Sequence, residues 1–349
     1  MGGEGIVSLP PLQDNINPKT LTMTRPDISD LFRISNAKFT EWATTIHDYQ
    51  RKNNPVFDQW CAQFPTEGFN FLPISFFKSH RVVTQNPETP QQSTTDSTTI
   101  FTSSGTSQQS PSQHIVSNIA LYEQSFVSGF ELQYGRMDQY CVIGLLPSYL
   151  ERTGSSLIYM VDYMIQRGKP GSGFYLNQYE EVAHIVTQNE KNGIPTLLFG
   201  VTFALLAMAE FLPEQQWNQT IIMETGGMKG RGPEITRDEL HDRLLNKFNG
   251  ANIHSEYGMT ELLSQAYATN GHRFGCPPWM KVYIQDPGDP KHWLPNGKTG
   301  RLCVIDLANI DSCSFIATDD LAKRFDDGSF EVMGRLDFTD LRGCNQLVI

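Results

Sequence analysis

Residues 220–261 read TIIMETGGMKGRGPEITRDELHDRLLNKFNGANIHSEYGMTE. An apolar run at 220–223 ends in the turn Gly226-Gly227. Residues 236–248 follow with helical spacing, and a second strand-like run at 252–255 ends at Tyr257-Gly258. Short apolar runs closed by glycine and joined through a helix predict neighbouring parallel strands with a helix packed on the sheet. Glycines at the carboxyl end of such strands let a flat base or a phosphate approach the backbone.

Working outward, the same alternation extends toward the N-terminus. Strands are predicted at 141–146 and 196–199, with helices at 117–134, 155–167, 178–189 and 201–211, which is an α/β arrangement of mainly parallel strands with helices on both faces. Before it, apolar residues recur at helical intervals from Asn36 to Phe64 and break at Asn53-Asn54-Pro55, so two helices meet at that proline. The apolar segment Leu72-Pro73-Ile74-Ser75-Phe76-Phe77-Lys78 comes next, and the Gln/Ser/Thr-rich residues 85–99 are too polar to bury much surface. After Trp279 the pattern changes to short strands with turn dipeptides (Asp286-Pro287-Gly288, Asn296-Gly297, Asp327-Gly328), predicting a small distorted β-barrel or sheet. The resulting division is an arm at 1–35, an α/β core at 36–278 and a β-rich part at 279–349.

With 27 basic against 38 acidic residues the net charge is -11, so a nucleic-acid or anionic-membrane surface is disfavoured. An anionic ligand would need a local site of backbone N–H groups, a metal ion or a few placed cations. The cysteines (Cys61, Cys141, Cys276, Cys303, Cys313 and Cys344) form no C-x-x-C pair and read as free thiols of a reducing compartment. No apolar run approaches the roughly 20 residues of a membrane span, and the N-terminus matches neither a signal peptide nor a myristoylation site, so a cytoplasmic location is the expectation. The histidines lack metal-ligand spacing.

Four motifs carry candidate chemistry. The cluster Phe101-Thr102-Ser103-Ser104-Gly105-Thr106-Ser107, ahead of a helical stretch, offers hydroxyls and a permissive glycine to a phosphate. Alone it reads equally well as a polar surface loop. Gly226-Gly227 matches neither the P-loop nor the G-x-G-x-x-G pattern, and a plain turn is its other reading. Ser255-Glu256-Tyr257-Gly258-Met259-Thr260-Glu261 combines an aromatic plane, a hydroxyl and a hard carboxylate suited to Mg²⁺. Asp320, in Thr318-Asp319-Asp320-Leu321, offers a carboxylate to sugar hydroxyls, with Arg335 shortly after, although surface charges around a hairpin look the same locally.

In that order and at that wide spacing, the four motifs resemble the adenylate-forming superfamily. Leu72 to Lys78, Leu146-Pro147-Ser148-Tyr149-Leu150-Glu151-Arg152-Thr153-Gly154-Ser155-Ser156 and Arg342-Gly343-Cys344-Asn345 are similar to its acyl-protein synthetase branch. The resemblance covers 36–349 and implies ATP and Mg²⁺ as cofactors and a fatty or other carboxylic acid as substrate. The acyl acceptor it implies is a cysteine, on this chain or on a partner reductase or carrier protein, with coenzyme A and a catalytically degenerate nucleotide-binding scaffold as the other readings. It assigns Ser103, Ser104, Gly105, Thr106 and Ser107 to the phosphates, Gly226 and Gly227 to the adenine slot, Tyr257 to stacking on the base, Gly258 to the nucleotide site, Thr260 to the α-phosphate, Glu261 to Mg²⁺, Asp320 and Arg335 to the ribose, and Cys344 to acyl acceptance. A guanidinium such as Arg342 lowers a nearby thiol's pKa and so favours the thiolate nucleophile. Three features depart from the superfamily pattern. The phosphate loop has no lysine and carries Gln108, Gln109 and His114 instead, leaving Arg152 or Lys229 as substitute cations. Asp319 stands where glycine is usual, and the chain stops 14 residues after Arg335, so the mobile C-terminal lid common in the superfamily is expected to be absent, as in the acyl-protein synthetases.

Overall fold

The structure is a computed structural model that describes residues 23–86, 98–103, 110–146, 154–226 and 235–336. Helix α1 (Phe39–Asn53) buries Phe39, Ala43, Ile46 and Tyr49 along one stripe. Asn54 caps α2 (Pro55–Gln63) by accepting from the Phe57 N–H, with Pro55 at the first helical position, where the missing N–H costs nothing. Then come β1 (Leu72–Pro73), α3 (Phe76–Ser79) and the antiparallel hairpin β2 (Thr99–Thr102) and β3 (Gln113–Val116). The hydroxyl cluster therefore leads into a strand, and α4 (Ile119–Tyr134) begins only after it, capped by Asn118. The four-residue β3 is buried along most of its length and shows no polar alternation, so its sequence reads as loop.

The α/β layer follows in chain order: β4 (Cys141–Leu145), α5 (Ser156–Arg167), β5 (Gly173–Phe174), α6 (Tyr179–Asn192), β6 (Thr196–Gly200), α7 (Thr202–Phe211), β7 (Gln215–Gln216), β8 (Thr220–Thr225), α8 (Arg237–Lys247), β9 (Phe248–Asn249), β10 (Asn252–Tyr257) and β11 (Ala266–Ala268). Its sheet runs β11-β10-β8-β6-β4-β5, parallel except for β11 against β10. Every residue of β4 and β6 is buried, as expected of strands covered on both faces. The predicted strands and helices lie within two or three residues of these elements.

The last part is an antiparallel sheet, the second form that its turn pattern allows: β12 (Met280–Gln285), β13 (Thr299–Asp306), β14 (Phe315–Arg324) and β15 (Phe330–Arg335), with β1 added parallel to β14. Two mutual backbone bonds join Phe274 and Phe330, at 2.7 and 3.1 Å, and pull β15 toward the segment after β11. The carboxyl end of β10, at Tyr257, thus meets the β14–β15 pair.

Candidate active site

Gly226 and Tyr257 follow the last paired residues of β8 and β10, Thr225 and Glu256, and so stand side by side at the sheet edge. Gly226 has φ +68°, a conformation open to glycine at little cost, and its carbonyl accepts from the Thr202 hydroxyl at 2.8 Å. Tyr257 is 9% exposed, and its ring packs edge-on to Phe330 at 5.3 Å and tilted against Phe274 at 5.8 Å. Its hydroxyl donates to Asp320 Oδ2 at 2.8 Å. Asp320 pairs with Arg335 in the β14–β15 register, and the guanidinium lies 3.7 Å from Oδ1. One carboxylate thus meets a phenol on one oxygen and a cation on the other.

Glu261 completes the group. Burial raises its pKa, while a hydrogen bond with Ser112 and the charges of Arg335 and Lys78 pull it back. Arg335 acts in the same sense on Asp320, whose carboxyl burial also raises, and on Tyr257, whose phenol is pushed well up by burial and by Asp320. Tyr257 and Arg335 therefore meet on Asp320, which joins the end of the parallel sheet to the antiparallel sheet, and the Arg335 charge also favours the ionised form of the buried Glu261.

Ser103 sits at the loop end of the β2–β3 hairpin, where its N–H donates to the Ser112 carbonyl at 3.1 Å and its hydroxyl accepts from the Ser112 N–H at 2.9 Å. Ser104, Gly105, Thr106, Ser107, Gly227 and Cys344 lie outside the described residues, as do Gln108, Gln109, Arg152, Lys229 and Arg342. A Cβ at Gly258 would lie 2.4 Å from Glu256 Oε1, so any larger residue there would have to displace the buried Glu256 carboxylate.

His114 is not a phosphate-loop cation. It is fully buried, its ring nitrogens face the Thr260 carbonyl at 2.7 Å and Asn309 Oδ1 at 3.1 Å, and burial pushes its pKa down to about 4. The imidazole is therefore neutral near pH 7 and is held between Thr260 and Asn309. Two buried carboxylates behind the sheet edge also escape a reading by motif. Glu224 accepts from Thr202 at 3.1 Å and pairs with Arg237 at 3.8 Å, whereas Glu256 accepts from Thr225 at 2.5 Å and is pushed up to about 7 by burial. The five described cysteines are free, and burial pushes the thiols of Cys61 and Cys276 up to about 12, which leaves them unreactive near neutral pH. No helix among the described residues is long and apolar enough to cross a membrane.

The arrangement suits a nucleotide chemically. A buried, pre-oriented carboxylate can accept from two vicinal hydroxyls, and a single protein carboxylate matches Mg²⁺, which takes its remaining ligands from phosphate and water. No group of three or more His, Cys, Asp or Glu side chains suited to hold a metal occurs among the described residues.

No protein-family model and no curated protein matches the sequence. Solved structures do. A 2-hydroxyisobutyryl-CoA ligase in an open conformation, solved with 2-HIB-AMP and CoA, is similar with TM-score 0.60 at 11% identity, covering 87% of this chain and 70% of that one. ATP-bound MatB from Rhodopseudomonas palustris is similar with TM-score 0.51 at 16% identity, covering 68% of this chain and 47% of that one, so the match spans about half of MatB. At these identities the likeness concerns architecture: the chain has the fold of the adenylate-forming enzymes, with parallel sheet, flanking helices and antiparallel sheet in the arrangement of their N-terminal domain.

Proposed function

We propose that this chain uses ATP to activate a carboxylic acid as an acyl adenylate and passes the acyl group to a thiol. The observation that carries the reading is the contact of the Tyr257 hydroxyl and the Arg335 guanidinium with the two oxygens of Asp320, because Tyr257 and Asp320 come from separate motifs and meet where the two sheets join. Asp320 would accept from the ribose hydroxyls, the Gly226 and Gly258 backbone would line the base beside Tyr257, and the Thr260 hydroxyl would donate to the α-phosphate. Gly105, with the hydroxyls of Ser103, Ser104, Thr106 and Ser107, would cradle the outer phosphates, with Gly227 extending the base slot. Glu261 would hold Mg²⁺, which supplies charge neutralisation on the phosphoryl oxygens. Lys78 and Arg335, whose charges favour the ionised form of Glu261, are cations that would offset the charge of departing pyrophosphate.

The substrate carboxylate oxygen attacks the α-phosphorus, the bond from that phosphorus to the bridging oxygen breaks, and pyrophosphate leaves with the electron pair. A thiolate then attacks the acyl carbon and AMP leaves, giving a thioester. The acceptor we favour is Cys344, from which a fatty acyl group would pass to a partner protein. Coenzyme A is the second acceptor, favoured by the CoA held in the 2-hydroxyisobutyryl-CoA ligase of similar fold.

Isotope exchange between pyrophosphate and ATP across a panel of carboxylic acids tests the first step, and exchange with at least one acid is expected. Peptide mass spectrometry after incubation with ATP and that acid tests the second. Acyl mass on the Cys344 peptide supports the protein thioester; an unmodified peptide together with free acyl-CoA assigns the acceptor to coenzyme A. Absence of exchange with every acid rejects the reading.

A further inference from the structure

Residues 260–264, which carry the Thr260 hydroxyl and the Glu261 carboxylate, are held from behind by side chains distant in sequence. The Thr260 carbonyl accepts from His114 Nδ1 at 2.7 Å, and the Glu261 carbonyl accepts from Asn309 Nδ2 at 2.7 Å. Asp306 Oδ2 accepts from the Leu263 and Ser264 N–H groups at 2.8 and 2.9 Å. Four backbone groups within five residues thus find their partners on β3, on the last residue of β13 and in the turn after it, where a regular element would supply them internally.

The orientation of the Asn309 amide is fixed by its partners. Asn309 Nδ2 also donates to the Cys313 carbonyl at 2.9 Å, so its amide nitrogen faces two acceptors and Oδ1 must face His114 Nε2. The ring thus lies between two acceptors, and burial keeps it neutral with one proton to give. We assign that proton to Nδ1, where the acceptor is nearer, 2.7 against 3.1 Å. Asn309 is anchored in turn, because its own carbonyl accepts from the buried Gln50 of α1 at 3.1 Å. Phe77 of α3 meets the imidazole edge-on at 5.6 Å and leaves it little room to rotate.

A neutral, desolvated histidine that donates to a carbonyl beside a candidate metal ligand costs burial free energy and cannot act on substrate itself. We propose that His114 and Asn309 are positioning residues, which fix the Thr260–Glu261 peptide so that the Thr260 hydroxyl and the Glu261 carboxylate keep one orientation toward the phosphates of bound ATP. The proposal rests on the function argued above and names the part of that site which sets its rate.

Two near-isosteric variants separate the contacts. In His114→Asn the side-chain amide nitrogen can occupy the Nδ1 position and keep the bond to Thr260, whereas in His114→Gln it reaches the Nε2 position and loses that bond. We expect His114→Gln to lower kcat for pyrophosphate exchange about 30-fold with the acid KM within about twofold, and His114→Asn to stay within about threefold of wild type. Hydrogen exchange measured on the same full-length proteins should be about tenfold faster across 260–264 in His114→Gln and unchanged in His114→Asn. Asn309→Ser, which removes the donor to the Glu261 carbonyl, is measured alongside and should behave like His114→Gln, so that the test survives if one variant does not fold. Unchanged protection of 260–264, or equal rates for the Asn and Gln variants, overturns the proposal. A wild-type chain that exchanges with no acid rejects the functional reading instead, and the hydrogen-exchange contrast then still decides whether the clamp exists.

Discussion

The Tyr257 hydroxyl donates to Asp320 Oδ2 at 2.8 Å, joining the end of the parallel sheet to the antiparallel sheet across 63 residues of chain. The bond orients the carboxylate and leaves Oδ1 facing Arg335. Tyr257→Phe keeps the ring and removes the donor. Hydrogen bonds to charged groups contribute about 1.5–3 kcal/mol, so the variant should raise the KM for ATP about tenfold with kcat changed far less, measured by pyrophosphate exchange at varied ATP. A KM within twofold of wild type would mean that the phenol does not orient Asp320 for a nucleotide.

Glu256 makes a pH-dependent contribution whose sign is fixed by its surroundings. Burial raises its pKa from 4.5 to about 7, so the folded chain binds this proton more tightly than the unfolded chain does. The stabilisation is fully present below pH 4.5 and is lost as pH rises through about 7. Glu256→Gln, which stays neutral, should therefore gain stability relative to wild type across that window, by about 3 kcal/mol at most. Denaturant titrations of both proteins at pH 4.5 and pH 8 check this, and a difference independent of pH would show that Glu256 is not held protonated.

Arg237 compensates a buried charge. Its side chain lies 3.8 Å from Glu224 and its guanidinium sits over the Phe274 ring at 4.9 Å, while burial raises the Glu224 pKa. Arg237→Met should destabilise by about 3 kcal/mol because it leaves Glu224 unpaired, and adding Glu224→Gln should recover most of that loss. Thermal denaturation of the single and double variants gives the coupling, and strictly additive losses would argue against the pair.

The parts of this architecture that follow local rules were legible in the sequence. Strand ends at Gly226 and Tyr257-Gly258, the break at Pro55 and the turn dipeptides after Trp279 each have a mechanism within a few residues, and the structure places elements there. The hairpin strand β3 was not legible, because four buried residues carry no period. His114 was legible only as a polar residue in a polar stretch. Its role depends on Asn309, 195 residues away, and on Phe77, and no local pattern reports such a meeting. Glu224 and Glu256 look like ordinary alternation within strands, and only burial marks them as unusual.

The central claim is that one crevice between the two sheets grips a nucleoside through Asp320. Calorimetric titration of a non-hydrolysable acyl-sulfamoyl adenosine into wild type and Asp320→Ala tests it most directly. Loss of two charge-assisted hydrogen bonds should weaken binding about 100-fold or more in the variant. Equal affinity in the two proteins, or no binding to the wild type, would contradict the claim.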